Sequence, residues 1–460
     1  MNAVTVALWL SLAQTPGQTP ATQNPAQQPL QAQAPDLNAT PPAPDVAPGG
    51  QPKSLTLADA LAQAEARNLD MKQLAARLRQ ADEYSWQAWS YYLPQVAGSG
   101  TYVHNQRKIE FDLDGTGPVP PITFQAKNQW QGQVDFRQMV FSPSLWFTIQ
   151  GANRGEDVAK ASYDNARRAI RFGVAQAFYG VAALTKAYNV AERLLEIAQR
   201  QEKDAQVRFK AGTIAKVGLL RAEIDRAKAE QDLKRAQNAL QSGRLTLAVL
   251  LDRPADFDVV EPPEPVTTLD PKELEARALR DRKDVQAARA QVGVARAGRN
   301  TAIAGYLPNV NAFGRYAIAN AAGFTGNDYW LGGLALSWNI FDGGLRESNL
   351  RTGNARIDEA DAALLKAEAG AKDDVRQSLL DLDSARANAE KSKEQRDLAA
   401  ENQRLVDVSY RAGASTAIEQ ADATAQLRNA EFGLQVDAFN AQVSVLHVQL
   451  AAGAEKPEVK

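Results

Sequence analysis

Cysteine is absent from the 460-residue sequence, and histidine occurs only twice, at His104 and His447. Without cysteine the chain forms no disulfide, thiolate metal site, cysteine nucleophile or lipid anchor on an N-terminal cysteine. Two histidines far apart in the sequence argue against histidine-based catalysis and against a multi-histidine metal site. A glycine-rich phosphate or dinucleotide loop is also missing. We therefore expect no catalytic residues, no metal site and no cofactor, and predict that the protein is not an enzyme.

Strong charge of one sign and long apolar runs are missing as well. The net charge is −2 with both signs mixed along the chain, so nucleic acid is not an expected partner. After the N-terminal segment, no uncharged apolar run is long enough for a transmembrane helix.

The N-terminal region divides into two segments of unusual composition. Residues 1–13 contain an apolar stretch that ends in Ser11-Leu12-Ala13, the small-residue spacing of a signal-peptidase site. No Lys or Arg precedes this stretch, so a disordered apolar terminus is the alternative. Residues 14–53 hold ten of the 22 prolines and read as an extended Pro/Gln-rich linker, because so polar a segment cannot bury a core.

Proline is missing from two long stretches, between Pro143 and Pro254 and between Pro308 and Pro457. Helical patterns run through both, and we predict long helices over 143–211 and 343–411. Nearly 70 residues at ~1.5 Å each give a length on the order of 100 Å. After the glycines that end these helices, returning helices are predicted over 213–251 and 414–452.

The sequence contains two copies of one unit, and matching segments of the two copies are separated by a nearly constant number of residues. Trp130–Phe141 recurs as Trp330–Phe341, 200 positions later, and Tyr92-Leu93-Pro94 recurs 214 positions later. Arg208–Gly212 recurs as Ser409–Gly413, 201 positions later. A repeat this long is not a solenoid of small units, and it predicts two copies packed around a pseudo-symmetry axis.

Each copy also contains a predicted β-hairpin, over 95–141 and over 308–341. In the first, Trp130, Val134, Phe136 and Val140 alternate with polar residues, which is typical of a strand with one apolar and one polar face. Residues 105–128, rich in Gly and Pro, are predicted to be an exposed loop. Two isolated hairpins are marginal in water and need other chains or a membrane to close their edges. Aromatic residues near the strand ends resemble the interfacial girdle of a transmembrane barrel.

We thus predict two repeats and a short tail. The first repeat, 54–268, begins with one helix from Leu55 to about Tyr92, followed by hairpin, long helix and returning helix. The second, 269–453, has the same order, and 454–460 form the tail. Two other classes fit parts of this pattern. A periplasmic coiled-coil adaptor or structural rod explains the helices but predicts one long hairpin and a separate β-domain. The other class is an enzyme, which is disfavoured because this sequence has no cysteine, only two distant histidines and no glycine-rich cofactor loop.

Three motifs in this order resemble the TolC-like outer membrane efflux protein family, over residues 55 to about 453. They are Tyr306-Leu307-Pro308, the strand-to-helix turn Asn339–Gly344 with Asp342, Gly343 and Gly344, and Tyr410–Gly413 at the far helical tip. The resemblance implies a mostly α chain with a small membrane β-barrel. In such proteins a homotrimer forms a 12-stranded barrel in outer membrane lipid, on a long α-helical barrel that crosses the periplasm.

The resemblance also implies a passive gated conduit that docks onto a periplasmic adaptor protein and an inner-membrane pump. Its periplasmic mouth lies at the glycine turns, Gly212 to Gly218 and Gly413 to Thr416. Glu419 and Asp422 match acidic positions that face the entrance, and three chains would give two stacked carboxylate rings. A solvated helix face is the plainer reading of this pair.

Tyr410 matches a tyrosine that helps latch the closed mouth. The acidic and basic partners of that latch do not carry over, because Gly218 and Ser415 stand in their places. The sequence therefore leaves the gate open to another mechanism, and it does not reveal the cargo or the class of pump.

Overall fold

The computed structural model describes residues 54–111, 121–268, 270–321 and 327–460. The predicted signal-like segment 1–13 and the whole of the Pro/Gln-rich segment 14–53 lie outside the described residues. The same is true of the centre of the predicted loop 105–128.

Long helices dominate this part of the chain. The helices are α1 (Leu57–Arg67), α2 (Leu69–Ser90), α3 (Pro143–Lys210), α4 (Lys216–Leu251), α5 (Pro271–Asp281), α6 (Lys283–Ala304), α7 (Leu345–Arg411) and α8 (Ala417–Ala451). The strands are β1 (Ser54–Leu55), β2 (Gln95–His104), β3 (Ile109–Phe111), β4 (Ile122–Gln125), β5 (Asn128–Phe141), β6 (Asp258–Val259), β7 (Asn309–Ala319) and β8 (Asp328–Ser337).

The main sheet has four antiparallel strands in the order β2-β5-β7-β8. Each repeat contributes one hairpin, and the β5–β7 pairing joins the two hairpins at the centre. Asp135 lies directly opposite Arg315 in this pairing, and the Arg315 Nε to Asp135 Oδ1 distance is 2.6 Å. The polar face of the sheet thus carries a cross-strand ion pair at the seam between repeats.

The other face of the sheet is apolar and exposed, as the alternation predicts. Its residues share even numbers along each strand, and they are Val96, Tyr102, Trp130, Val134, Phe136, Val140, Tyr316, Ile318, Trp330, Leu334 and Leu336. So many exposed large apolar side chains on one face indicate a surface that something other than water covers.

The strand boundaries differ from the prediction in two places. Part of the predicted loop 105–128 forms a second small hairpin, β3 paired with β4, because Ile109, Phe111, Ile122 and Phe124 supply β-forming residues on either side of the glycines and prolines. The second main hairpin is shorter than 308–341, since β8 ends at Ser337 and the next residues approach the glycine turn.

Helices α3 and α7 contain 68 and 67 residues, in agreement with the predicted long helices. The single helix predicted from Leu55 to about Tyr92 is wrong, since it divides at Asn68. The Asn68 side chain accepts a hydrogen bond from Met71 N, which caps α2, and donates to Leu250 O. The second repeat divides similarly at Arg282, between α5 and α6.

The core lies where α1, α3, α4 and α8 meet. Its largest fully buried residues there are Leu55, Phe178, Tyr179, Leu247, Leu251 and Leu446. Tyr179 donates a hydrogen bond to Pro263 O, and burial raises the pKa of its hydroxyl to about 12. The long helix of the first repeat also packs against α6 of the second. A second buried cluster lies where α5, α7 and α8 meet. The division of the chain at 268/269 stays a prediction.

No helix in the described ranges has an apolar stretch of the length needed to cross a membrane.

Candidate functional site

The two long helices end in the same backbone turn. Gly212 and Gly413 have φ values of 70° and 79°, in the left-handed region that favours glycine. Thr213 N donates to Arg208 O over 2.9 Å, and Ala414 N donates to Ser409 O over 2.8 Å. These bonds satisfy equivalent carbonyls at equivalent positions of the two repeats. The predicted turn glycines therefore lie at equivalent positions of the two repeats and have the same backbone conformation.

The second turn is closed by a capping box at the start of α8. Glu419 N donates to Thr416 Oγ1 over 3.2 Å, and Thr416 N donates to Glu419 Oε2 over 2.8 Å. Ser415 Oγ donates to the same carboxylate oxygen over 2.6 Å. The hydrogen bonds from Ser415 and Thr416 lower the pKa of the Glu419 carboxyl below its usual value. Glu419 is thus held ionised by its own turn.

Asp422 lies on the same exposed surface of α8 as Glu419. Its Oδ2 accepts a hydrogen bond of 2.7 Å from Gln426 Nε2, and it takes no part in the capping box. One chain supplies one such pair, so a carboxylate ring requires further copies of the chain.

The first turn lacks these polar contacts. The N-cap residue of α4 is Ala215, and Gly218 occupies the position that corresponds to Glu419. Gly218 is buried, and a Cβ added to it would lie 3.5 Å from Ile214 Cδ1 and 3.7 Å from Ala417 Cβ. The two turns meet at this glycine, which leaves room for the neighbouring repeat.

Tyr410 is buried beneath an arginine of the other repeat. It is 6% exposed, and the guanidinium carbon of Arg208 lies 4.7 Å from the centre of its ring. Arg208 Nη1 and Nη2 donate to the carbonyls of Tyr410 and Arg411 over 3.0 and 3.1 Å. A cation here also opposes the partial negative charge at the C-terminus of α7. We call this contact the Arg208 clamp.

The Arg208 clamp is a feature that sequence reasoning missed. A basic residue in the last turn of α3 is a visible signal, but it ordinarily indicates a bond to its own helix end. Its partners lie about 200 positions away, so only the fold brings them together. No partner at Gly218 or Ser415 is needed for this contact.

The strand-to-helix turn of the second repeat also has the predicted glycine geometry. Gly343 and Gly344 have φ values of 73° and 89°. Asp342 Oδ2 lies 2.9 Å from Arg346 Nε, and the Arg346 guanidinium stacks on the Tyr306 ring at 4.8 Å. Arg346 therefore bridges two of the motifs that carried the family resemblance, Tyr306–Pro308 and Asn339–Gly344.

The first repeat makes the corresponding contact with different side chains. Gln138 Nε2 donates to Tyr92 O over 2.6 Å, as Trp338 Nε1 donates to Tyr306 O over 3.1 Å, 200 positions later. Its helix begins at Pro143 after the N-cap Ser142, with no left-handed residue.

Among the described residues there is no cluster of three or more His, Cys, Asp or Glu side chains that could hold a metal ion.

Comparison with known proteins gives one consistent result. The model of the outer membrane efflux protein family matches residues 60–253 and 274–452, which together are well over half of the chain. The gap between the two matches lies between the two predicted repeats.

Individual relatives are more distant. The chain is 26% identical over 315 residues to the fusaric acid resistance protein FusA of Burkholderia cepacia, an alignment that spans 65% of this chain and 57% of that protein. It is 23% identical over 413 residues to the outer membrane protein TolC of Escherichia coli (strain K12), over 85% of this chain and 80% of TolC.

The crystal structure of the outer membrane protein VceC from Vibrio cholerae has a similar fold. It superposes with a TM-score of 0.71 at 20% identity, over 86% of this chain and 96% of that one.

Proposed function

This chain belongs to the outer membrane efflux protein family, and we propose that it is the channel component of a tripartite efflux or secretion system. It would act as a passive gated conduit from the periplasm to the exterior, opened by a periplasmic adaptor and an inner-membrane pump. Family membership places the chain in the outer membrane, extending into the periplasm, and among transport proteins rather than enzymes. It also favours a channel over the alternative of a periplasmic coiled-coil adaptor.

The exposed apolar sheet with its two free edges is the observation that carries the proposal. Within the described strands, β2 and β8 each pair on one side only. An open edge cannot lie in lipid, because its backbone N–H and C=O groups would have no partners there. Other copies of the same chain can supply them if β8 of one copy pairs with β2 of the next.

An even number of strands per chain makes this ring consistent. Since four strands alternate in direction, β8 and the next β2 are antiparallel, like all other pairs in the sheet. Two chains would give eight strands, a barrel that side chains fill. Three chains would give twelve and leave a lumen, lined by the face that carries Asp135 and Arg315.

Cysteine cross-linking tests the ring, because the chain has no cysteine of its own. Ser99→Cys on β2 would be combined in turn with Leu331→Cys, Gly333→Cys or Ala335→Cys on β8. All four positions face the lumen side in the observed register. We expect one combination to give covalent dimers and trimers on oxidation of the native protein in detergent.

A matched control is Ser99→Cys with Gln133→Cys, which are partners within one chain and should cross-link without change of mass. If this control oxidises and every β2–β8 combination stays monomeric, the ring is wrong.

We further propose that the glycine turns form the periplasmic mouth and contact the adaptor. Three chains would bring three copies of Glu419 and Asp422 to the entrance, where carboxylates favour cations. The capping box gives Glu419 a structural role as well, so its removal changes both charge and turn. Asp422 has no such role and is the cleaner reporter of an acidic ring.

Planar-bilayer recordings test the acidic mouth. Asp422→Asn and Glu419→Gln keep the side-chain shape and remove the charge, and each should lower cation selectivity and block by divalent cations. Gln426→Ala, one turn further along α8, is the control that changes a neighbour without changing charge. Unchanged selectivity in both charge variants would place the selectivity elsewhere.

We propose that the Arg208 clamp holds the closed mouth. It ties the end of α3 to the end of α7. These two helix ends must separate if the turns move apart. It replaces the latch that Gly218 and Ser415 cannot form.

The first cargo class we propose to test is small organic compounds, because the Burkholderia cepacia relative is named for fusaric acid resistance. Deletion of the gene should then raise susceptibility to such compounds, and susceptibility to divalent metals is the matched comparison.

A further inference from the structure

Arg168, far from the helical turns, is a buried cation with unused hydrogen-bond donors. Its side chain lies on α3 and the residue is 6% exposed. Nη2 donates to Asn165 Oδ1 over 2.9 Å. Nε and Nη1 have no partner within the described part of the chain, and no other residue there has two such nitrogens.

Burial lowers the pKa of the Arg168 guanidinium, but a guanidinium stays protonated at physiological pH and cannot relieve this cost by losing its proton. A charge that is removed from water without an acceptor for its hydrogen bonds destabilises the fold. Buried donors in native proteins almost always have a partner. An acceptor that is not part of the chain is therefore expected beside Nε and Nη1.

The space for such an acceptor is a small cavity of about 30 Å³ beside Arg168. Arg167, Arg171 and Lys283 line it as further cations, together with Asp164, Glu455 and Gly453. Glu65, which is outside the lining, binds both Arg167 and Arg171. Neither lining carboxylate forms an ion pair with Arg168 among the described residues, so the cavity keeps an excess of cations.

The cavity lies where three segments of the chain meet. Helix α6 begins there at Lys283, and its N-cap residue Arg282 provides no side-chain cap. In the first turn of this helix, Val285 N donates to Asp284 Oδ1 over 3.0 Å, so a carboxylate of the chain already lies at the helix start. Gly453, with φ of 89°, lies so close that an added Cβ would be 3.1 Å from Arg282 N. The glycine thus keeps the end of α8 against the start of α6.

Other charges near the cavity cancel this excess in net terms. Arg282 is paired with Asp284 and Asp374, and Asp284 also attracts Arg168 through space. Neither carboxylate supplies a hydrogen bond to Nε or Nη1. The two free donors are therefore a matter of local geometry rather than of net charge.

We propose that a single halide-sized anion, chloride in the cell, occupies this cavity and accepts hydrogen bonds from Nε and Nη1 of Arg168. The cavity has room for at least one water molecule or one monatomic ion beside Arg168. A bound water would accept the same bonds but would leave the Arg168 guanidinium without an anionic partner, whereas the neighbouring arginines Arg167, Arg171 and Arg282 all have one. The anion would tie α3 of the first repeat to α6 and the end of α8 in the second.

Bromide identifies the occupant without any substitution. Crystals of the full-length protein grown in detergent would be soaked in sodium bromide, and anomalous diffraction recorded at the bromine edge. We expect an anomalous peak within hydrogen-bonding distance of Nε and Nη1 of Arg168. Ordered density there without anomalous signal would mean water, and the proposal would be wrong.

Thermal unfolding gives an independent readout in solution. The detergent-purified protein should melt roughly 2 °C higher in sodium chloride than in sodium gluconate of equal ionic strength, and the rise should saturate. Arg168→Met keeps the length of the side chain and should abolish this difference, whatever its effect on stability itself. Arg193→Met, an exposed arginine on the same helix, should keep it. An equal chloride response in Arg168→Met and Arg193→Met would overturn the assignment.

Discussion

The two helical turns have the same backbone and opposite chemistry. Gly212 and Gly413 adopt the same left-handed conformation, with the same hydrogen bond across the turn. After the first turn come Ala215 and Gly218, whereas after the second come Thr416 and Glu419, which cap their helix through side chains. The glycines thus determine the path of the chain in both turns. Charge and side-chain capping belong to one copy only.

The largest expected effect comes from breaking the Arg208 clamp. Arg208→Met removes two hydrogen bonds to carbonyl groups and the stacking on Tyr410, and should lower the free energy of unfolding by about 2 kcal/mol. In planar bilayers the same variant should open more often.

Arg208→Lys keeps the charge but not the forked geometry, and we expect an intermediate result. A closed probability equal to that of the unmodified protein in Arg208→Met would show that the clamp does not hold the mouth.

Equal changes to the two glycines sharpen the shared half of the comparison. Gly212→Ala and Gly413→Ala should each cost about 1–2 kcal/mol, because an alanine in the left-handed region is strained. An added Cβ meets no atom within 4 Å at either position, so the cost is conformational and should be the same in both. Denaturant unfolding measures it.

Gly433→Ala is the matched control, since Gly433 lies inside α8 with equally open space around its Cα. It should stabilise by about 0.5–1 kcal/mol. A clear difference between the Gly212 and Gly413 variants would mean that the two turns are not conformationally equivalent.

The capping contacts can be exchanged between the turns. Thr416→Ala should destabilise by about 1 kcal/mol through loss of the cap on α8. Ala215→Thr should stabilise by about 0.5–1 kcal/mol, because Ala215 is exposed and its extended backbone already suits an N-cap residue. Unfolding midpoints of the two variants and of the double variant measure both effects, which should add. A destabilising Ala215→Thr would contradict the equivalence of the two helix starts.

The smallest effect is a pH dependence confined to the second turn. The folded pKa of Glu419 is lowered by its bonds to Ser415 and Thr416, while the unfolded pKa is about 4.3. Its stabilising contribution is therefore complete above that value and is lost as the pH falls through the lower folded pKa. Glu419→Gln should remove this part of the acid dependence of the unfolding midpoint. An identical acid profile in the variant would show that the ionised carboxylate adds nothing.

Features that depend on residues near one another in the sequence were predicted, whereas contacts between distant positions were not. Alternation within Trp130–Phe141 predicted which face of the strand is apolar, because neighbouring residues decide it. Gly413 and Gly343 predicted turns of the chain for the same local reason, and the structure shows both in the left-handed region. Asn68 carried a capping signal, but it was read as part of one continuous helix, so the break between α1 and α2 was missed.

Contacts between distant positions were beyond prediction. Arg208 and Tyr410 are separated by about 200 residues, and Arg168 meets Lys283 and Gly453 only in the folded chain. The repeat offset predicted that the two turns are equivalent, but it did not predict that Arg208 of the first repeat would bind the end of α7. The ring of acidic residues depends on other copies and stays a prediction.

The β5–β7 seam has a consequence for how the proposed ring assembles. It is a pairing between two hairpins, like the β8–β2 seams between chains, but a covalent linker connects its two halves. Of six hairpin-to-hairpin seams in a closed ring, three then form at the high effective concentration of a tether. Only three bodies, rather than six, lose translational freedom when the ring closes. Because each chain contains two repeats, the proposed twelve-stranded ring needs the association of only three bodies. Six separate single repeats would need far higher concentrations to close the same ring.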